Sequence, residues 1–475
     1  MIRLALSEIA AMLNAPLHGT DVTVDTVSTD SRTLTGAALF IALKGANFDG
    51  NRFLAEVAAK GAVALICSEE PPQSVVIPYI LVADGRLALG QLAAALKQKL
   101  APKTIAVTGS AGKTTVKEML YAILTETVKR ANSNDASADD SIAVLATAGN
   151  FNNDIGVPLT LLRLTAQHRY AVLELGANHH GEIAYTTALV KPDVALITNA
   201  AASHLEGFGD IYGVARAKAE IYSGLGSSGT AVVSLDSDYS DYWLKQVQAL
   251  PVLTFSLDKP HADFYASDVQ LDALGCAHFT LHTPAGAFAI DLTVPGRHNV
   301  ANALAAVTAA VAIGVTETQV QQGLANMRSV KGRTNLLQVG SNLKIIDDTY
   351  NANVESVKAA IDLLASYSGF RGLLLGDMGE LGTDARLYHE QIGEYAKNAG
   401  INLLFTVGVL SQSASDLFHG HSAHFSQRQP MLDRLMPVIS AQQDVTLLVK
   451  GSRSAKMELV VQDLLERCQQ ETSPC

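Results

Sequence analysis

The chain has little cysteine. Its four thiols, Cys67, Cys276, Cys468 and Cys475, show neither the close spacing of a metal site nor the density of a disulfide framework. That excludes a small stapled secreted domain and fits a reducing cytosol, so a cytoplasmic location is expected. An excess of positive charge is also missing: 35 Lys and Arg stand against 46 Asp and Glu, a net charge of -11. Nothing therefore points to nucleic acid or to an anionic membrane surface as a partner. No long apolar run exists either. The longest, around Ala303–Val315, is too short for a bilayer and is interrupted by Thr308 and Gly314, so membrane insertion is not expected. Met1–Ala10 reaches Ser7 and Glu8 too early for a secretory leader, and none is expected. What the chain does have is core material, with 48% of its residues hydrophobic. Its length suggests roughly three domains at about 150 residues each.

The most informative stretch is Thr104-Ile-Ala-Val-Thr-Gly-Ser-Ala-Gly-Lys-Thr-Thr115. Thr104–Val107 reads as a short buried strand, Thr108–Gly112 as a glycine-punctuated turn. Val116, Met119, Leu120, Ile123 and Leu124 then recur at the spacing of one helical face. Strand, Gly-rich turn, Lys-Thr-Thr and helix make a phosphate cradle. Backbone N–H groups of Thr108, Gly109, Ser110, Ala111 and Gly112 can turn onto phosphate oxygens, and the helix start adds its positive dipole end. Lys113 offers a point charge to the outer phosphates. Thr114 offers a hydroxyl to Mg²⁺, and Thr115 completes the motif. Val107 stands where the usual P-loop has its first glycine, so this is the shorter T-G-x-x-G-K-T-T form.

Before the cradle, residues 1–83 read as a small α/β domain. Ser7–Leu13 and Phe53–Lys60 are expected helices; Val22–Val27, Leu39–Leu43, Val63–Cys67 and Tyr79–Val82 are expected strands. Two polar loops follow strands, one with Ser31 and Arg32, the other running from Lys44 and Gly45 through Asp49 to Asn51. Both suit a sugar or nucleotide diphosphate, and both are also what solvated turns are made of. Arg86–Leu100 reads as a connecting helix.

The central domain, residues 84–313, should carry a mainly parallel sheet. Ala131–Ser141 reads as a flexible polar loop. Asn152 and Asn153 lie in an amide-rich loop that faces a ligand. Tyr170–Leu175 is a strand with Glu174 near its C-terminal end, where open parallel sheets bind ligands, so Glu174 is a candidate Mg²⁺ ligand. His204 follows the strand Asp193–Thr198 and is a metal or supporting candidate. Ala215–Tyr222 is a helix whose Lys218 reads, from pattern alone, as a solvated charge. Ala231–Leu235, Val252–Ser256, Ala277–His282 and Ala287–Val294 extend the sheet. Asn299 and Asn302, three apart, would share a helix face. Their amides offer the donor–acceptor pair an adenine edge needs, while a capping role accounts for Asn299 as well.

Residues 314–475 read as a second strand/helix alternation, a Rossmann-like domain. Its strands Lys344–Asp347, Gly372–Leu375, Leu403–Val407 and Val445–Val449 open into polar loops. Those loops carry Asp348, Asp377, Lys450, Ser452 and Arg453. Arg333, Asp348 and Lys450 are expected to face phosphates or a carboxylate.

Taken together, the blocks G-N-F-N-N-D-I-G-V-P, L-E-L-G-A-N, H-L-E-G-F-G, A-K-A-E-I, G-R-H-N-V-A-N, D-D-T-Y-N-A-N, L-G-D-M-G-E-L-G and V-K-G-S-R-S-A-K-M-E resemble the Mur ligases over nearly the whole chain. The likeness is greatest to the type that adds D-alanyl-D-alanine to a UDP-N-acetylmuramoyl-tripeptide. The resemblance implies ATP and Mg²⁺, two ions in all, with Thr114, Glu174 and His204 around them. It makes Lys218 a carbamylated lysine, its amine converted by CO₂ into a carboxylate-like ligand, which reverses the bland reading. It brings Asn299 and Asn302 to adenine, closes Arg333 and Asp348 over the nucleotide, and sets Ser31–Arg32 and Lys44–Gly50 near the uridine diphosphate. The C-terminal blocks Gly376–Gly382 and Lys450–Arg453 would choose the dipeptide. Domain closure around a water-sensitive acyl phosphate is implied, and a monomer is the expectation. Val354 stands where the family has proline, which should loosen that loop, and Ser133–Ser141 departs from the usual sequence.

Other readings stay open. A folylpolyglutamate-synthase-like ligase would place its P-loop domain first, without the preceding 83 residues. A nucleotide-dependent regulatory protein would not need Glu174, His204 and Lys218.

Overall fold

The computed structural model describes residues 3–131 and 143–472. Of the expected polar loop Ala131–Ser141, Ala131 ends a helix instead and the rest lies outside the described residues. Among the described residues, three larger sheets of five, nine and six strands follow one another along the chain, as the strand/helix alternation predicts, and a two-stranded ribbon accompanies the first. Among the described residues no helix is long and apolar enough to cross a membrane.

The N-terminal helix runs Leu6–Leu13 and buries Leu6, Ile9, Ala10 and Leu13, the face its spacing sets apart. The expected strand Val22–Val27 is two strands instead. Thr23–Val24 pairs antiparallel with Leu4–Ala5, and Thr26–Ser28 pairs parallel with Ala38–Ile41. The break falls at Asp25, whose N–H bonds the Ala37 carbonyl and whose Oδ1 accepts the Ala37 N–H, turning the chain from one sheet into the other. Helix Gly85–Leu100 buries Leu89, Leu92 and Leu96 in a core shared by Ile9 of the first domain and Ile183 of the second. That shared core fixes the two domains against each other.

The central sheet has the P-loop strand Lys103–Thr108 between Val194–Ile197 on one side and Tyr170–Glu174 on the other. All three strands are parallel, and the connections pass from one side of this strand to the other, a switch that opens a crevice beyond its carboxyl end. Helix Lys113–Ala131 follows the turn directly. Val116, Met119, Leu120, Ile123 and Leu124 are fully buried, so the face read from their spacing packs on the sheet. Beyond Val252–Ser256 lies a strand that periodicity did not announce, Phe264–Leu271. It is half exposed and alternates irregularly, and it pairs antiparallel with Cys276–Thr283, which pairs antiparallel with Gly286–Pro295.

The C-terminal sheet runs Asn335–Val339, Leu343–Asp348, Val445–Lys450, Phe370–Gly376, Leu403–Val407, His421–Phe425. All neighbours are parallel except the first pair. Val354 does not loosen its loop as expected. It starts the helix Val354–Ala365 and is buried, while Asn353 caps that helix by accepting the Ser356 N–H at 2.9 Å. The cap supplies the fixed helix entry that a proline would otherwise give.

Candidate active site

The carboxyl ends of the central and C-terminal sheets face one cavity of about 810 Å³. The P-loop forms its floor. Gly109 has φ 147 and Gly112 φ 81, both in the region that side chains avoid. A Cβ at Gly112 would stand 2.3 Å from Asn302 Oδ1, so only glycine lets the loop lie against that amide. The loop is pinned from behind: Asn199 Oδ1 accepts the Ala111 N–H at 2.9 Å, and Ser203 Oγ donates to Ser110 Oγ at 2.9 Å. Lys113 Nζ folds back to donate to the Gly109 carbonyl at 2.6 Å. Burial and the nearby Arg333 charge lower its pKa, with Glu174 working the other way.

Thr114 and Glu174 meet beside it. Thr114 Oγ1 donates to Glu174 Oε2 at 2.9 Å, and Asn152 Nδ2 donates to Glu174 Oε1 at 2.8 Å. From the opposite domain Arg333 Nη2 donates to Thr114 Oγ1 at 3.0 Å, its guanidinium lying 4.2 Å over the Tyr350 ring. Lys218 is not solvated but 1% exposed, with its amine 5.3 Å from the Phe208 ring centroid. Burial, and then repulsion from Lys113, push its pKa down to about 7. No acceptor among the described residues takes its amine. His204 lines the same cavity and lies 2.6 Å, Nδ1 to Oε2, from Glu380.

Lys450 and Asp348 reach the cavity together rather than separately. Lys450 Nζ pairs with Asp348 Oδ2 and also donates to the Asn351 carbonyl at 3.0 Å, and both residues are buried. Ser452 and Arg453 line the wall beside them; Arg453 also pairs with Glu458 at 3.2 Å. Ser110, Ala111, Thr115 and Asn302 complete the set that the geometry brings together.

Several of the residues singled out lie off this cavity and make other contacts. Asn299 points away from the cavity, its Nδ2 donating to the Pro295 carbonyl at 2.7 Å while its Oδ1 accepts from Asn302 at 2.8 Å, so it orients Asn302 instead. Thr108 is fully buried and donates to the Leu175 carbonyl, tying two strands. Gly109 lies behind the loop against Thr198. Asn153 accepts the Gly156 N–H at 2.8 Å and stays outside the cavity. Asp377 accepts the Val409 and Ser411 N–H groups at 2.9 and 2.8 Å; burial alone would raise its pKa, but these donors outweigh it and hold the carboxyl below its usual range. Ser31, Arg32, Lys44, Gly45 and Asp49 are likewise not on the cavity wall. Arg32 pairs with Asp30 at 2.8 Å and Lys44 with Asp49 at 3.0 Å, while Gly45 N–H closes a turn on the Phe48 carbonyl. Asn199, Tyr350, Asn353 and Glu380 line the cavity without having been singled out for it. The blocks that contain them were visible, but no spacing rule separates them from ordinary turn residues.

The loop that carries Glu380 has a titratable support. The Met378 N–H donates to His389 Nε2 at 2.9 Å, and His389 Nδ1 bonds the Ala385 carbonyl at 2.7 Å, which requires the neutral ring. Burial holds its pKa below the usual value. The unfolded chain therefore binds this proton at a higher pH than the fold does, so stability falls as pH drops from about 6.5 through the lowered value. Denaturant midpoints at pH 7.5 and 5.5 should differ less in His389→Gln than in the parent; parallel losses would show that His389 does not set this slope.

A P-loop floor, a Thr–Glu pair beside it and cations delivered by a third domain define a multidomain P-loop protein working on an anionic ligand. Residues 107–310 match the Mur ligase middle domain, residues 332–453 the Mur ligase glutamate ligase domain, and residues 23–97 the Mur ligase family catalytic domain. The chain is 45% identical to UDP-N-acetylmuramoyl-tripeptide--D-alanyl-D-alanine ligase of Escherichia coli (strain K12), over 98% of this chain and 99% of that one. It is 44% identical to the Haemophilus influenzae (strain ATCC 51907 / DSM 11121 / KW20 / Rd) ligase of the same name, again over 98% and 99%. The crystal structure of MurF from Acinetobacter baumannii aligns with a TM-score of 0.89 at 35% identity, covering 98% of this chain and 99% of that one. The chain belongs to the Mur ligase family.

Proposed function

We infer that this chain is an ATP-dependent ligase that joins D-alanyl-D-alanine to UDP-N-acetylmuramoyl-tripeptide, giving the UDP-muramoyl pentapeptide of peptidoglycan synthesis. The observation that carries it is the cavity: a phosphate cradle facing a second domain's cations, in a chain similar along its length to ligases of that name. The tripeptide's terminal carboxylate attacks the γ-phosphate of ATP, ADP leaves, and an acyl phosphate forms. The dipeptide amine then attacks the acyl carbon, loses a proton, and phosphate departs. Lys113 swings from its own loop carbonyls to the phosphates, and Arg333 adds charge from the opposite domain; positioning and neutralisation are the main work of such a transfer. Asn302, held by Asn299, stands at the adenine side. The two sheets together shield the acyl phosphate from water.

The adjacent hydroxyl and carboxylate of Thr114 and Glu174 are hard oxygen donors that would hold Mg²⁺, and the ion would supply neutralisation of phosphate charge. Lys218 fits carbamylation, since its burial keeps part of the amine neutral, as attack on CO₂ requires. The carbamate would then stand with His204 for a second ion. We assign residues 1–83 to the uridine diphosphate end, through Ser31–Arg32 and Lys44–Asp49, residues 84–313 to ATP, and residues 314–475 to closure and the dipeptide, through Lys450, Ser452 and Arg453. A monomer working in the cytoplasm, where UDP-linked sugars and ATP are made, is the corresponding reading. The test is phosphate release from ATP with Mg²⁺ and UDP-muramoyl tripeptide. Release that requires D-Ala-D-Ala, with the pentapeptide as product, is expected. Tight ATP binding without release for any acceptor would replace the ligase with a nucleotide-dependent switch.

A further inference from the structure

The central and C-terminal domains touch at the cavity rim through two loops. His204 follows the strand Val194–Ile197, and Glu380 follows the strand Phe370–Gly376. Glu380 meets one turn of the other domain twice, once by a close carboxylate–imidazole approach that lacks hydrogen-bond alignment and once by a backbone hydrogen bond. Its Oε2 lies 2.6 Å from His204 Nδ1, and its carbonyl accepts the Leu205 N–H at 3.1 Å. Both residues are non-glycines in the left-handed region, His204 at φ 53 and Glu380 at φ 62. Such a conformation is unfavourable for a residue with a Cβ and persists only where its surroundings fix it. Here the strained residues are each other's surroundings. The His204 ring also stands edge-on to Phe208, centroids 6.4 Å apart at 89°, and Phe208 carries the Lys218 amine over its face. His204 Nε2 has no partner among the described residues, and the residue lines the cavity.

We propose that Glu380 is a positioning residue for His204, so that this part of the active site is assembled only when the C-terminal domain is seated. A small turn of the ring brings the Nδ1 proton into line with the carboxylate already 2.6 Å away, which then accepts it and leaves the Nε2 lone pair for the cavity. It also fixes the ring plane and strengthens the ring as a donor of electrons, as carboxylates behind ligating histidines do. The central domain alone offers a His204 free to rotate. The second domain supplies the missing partner, and because the Leu205 N–H is taken by the same residue, turn and ring are set in one docking event. The inference rests on the ligase reading for its catalytic meaning. An exposed His–carboxylate pair otherwise contributes little to stability, so a purely structural contact predicts almost nothing on its removal.

Two variants of the full chain separate these outcomes. Glu380→Gly keeps the positive φ at no steric cost and removes the carboxylate; Glu380→Gln keeps an oxygen that still accepts the Nδ1 proton. Glu380→Gly should lower kcat by about 10- to 100-fold, with the thermal midpoint not lowered. Glu380→Gln should recover most of the rate. Calorimetric affinity for ADP with Mg²⁺ gives a readout that needs no turnover. Glu380→Gly should weaken it in the parent but add nothing in a His204→Ala background. Parent-like kcat and Mg²⁺·ADP affinity in Glu380→Gly would overturn the proposal, as would an equal further loss of affinity in the His204→Ala background. If the parent itself releases no phosphate with both substrates, the ligase reading fails, while the calorimetric cycle still decides whether the two residues act as one.

Discussion

Replacing Lys218 with alanine is expected to lower amide-bond formation on the order of 10²–10³-fold, and added bicarbonate should not restore it. The reason lies in what the fold does to this amine. It is buried at the cavity, has no acceptor among the described residues, and its pKa is pushed down to about 7 by burial first and by Lys113 second. A lysine kept this way is a liability to the fold, and its sign can be worked out. The unfolded chain binds the proton below about 10.4, whereas the fold binds it only below about 7. Between those values the unfolded state holds one proton more, so stability rises with pH across the window, and the full penalty is present at neutral pH and below. Lys218→Met, which fills similar space without the charge, should therefore raise the thermal midpoint at pH 7.5 in bicarbonate-free buffer, by an amount that shrinks towards pH 10. Inactivity combined with greater stability is the signature of a group kept for chemistry. A Lys218→Ala enzyme with near-parent turnover would remove the carbamate from the mechanism.

The second large effect concerns Lys113. Lys113→Met should lower kcat by about 10²–10³-fold, and Lys113→Arg should fail to rescue it. Nζ reaches the Gly109 carbonyl at 2.6 Å and the Ser110 carbonyl at 3.4 Å within its own turn. A compact ammonium can exchange those carbonyls for phosphate oxygens by a small rotation. A planar guanidinium is longer, has a fixed fork, and would meet Arg333 across the cavity. The measurement is single-turnover phosphate transfer with both substrates saturating. Recovery in Lys113→Arg to within a few-fold of the parent would mean that charge alone, rather than its placement, is what the loop requires.

The residues that sequence alone revealed are those whose role is local. The cradle was legible because strand, turn and helical face are all encoded within a dozen neighbouring positions. Glu174 was legible because the end of a parallel strand after a P-loop is a ligand-binding place whatever the rest of the chain does. Lys218 was not legible from pattern, because a helix with one lysine looks solvated until the packing of Phe208 against it is known. Asn299 shows a different limit. Helical spacing correctly puts it beside Asn302, but cannot say that the Pro295 carbonyl captures its amide. The half-exposed strand Phe264–Leu271 and the edge strands Asn335–Val339 and His421–Phe425 escaped because one face of each meets solvent, which dilutes the apolar signal. Contacts between domains, Arg333 on Thr114 or Glu380 on His204, leave no periodic trace at all.

The strand Val445–Lys450 is sixth in the C-terminal domain's order of synthesis but lies inside its sheet, between Leu343–Asp348 and Phe370–Gly376. Until it emerges from the ribosome, those two strands have no partner on their facing edges, and the domain exists as two unjoined ribbons. Such a non-local insertion raises the sequence separation of native pairs and slows folding, leaving sticky edges exposed meanwhile. It also means that Lys450 reaches Asp348 only in the last step. During synthesis the domain that closes the cavity is joined up after everything it closes upon, so a nascent chain is not able to grip nucleotide between its sheets before Val445–Lys450 has been made.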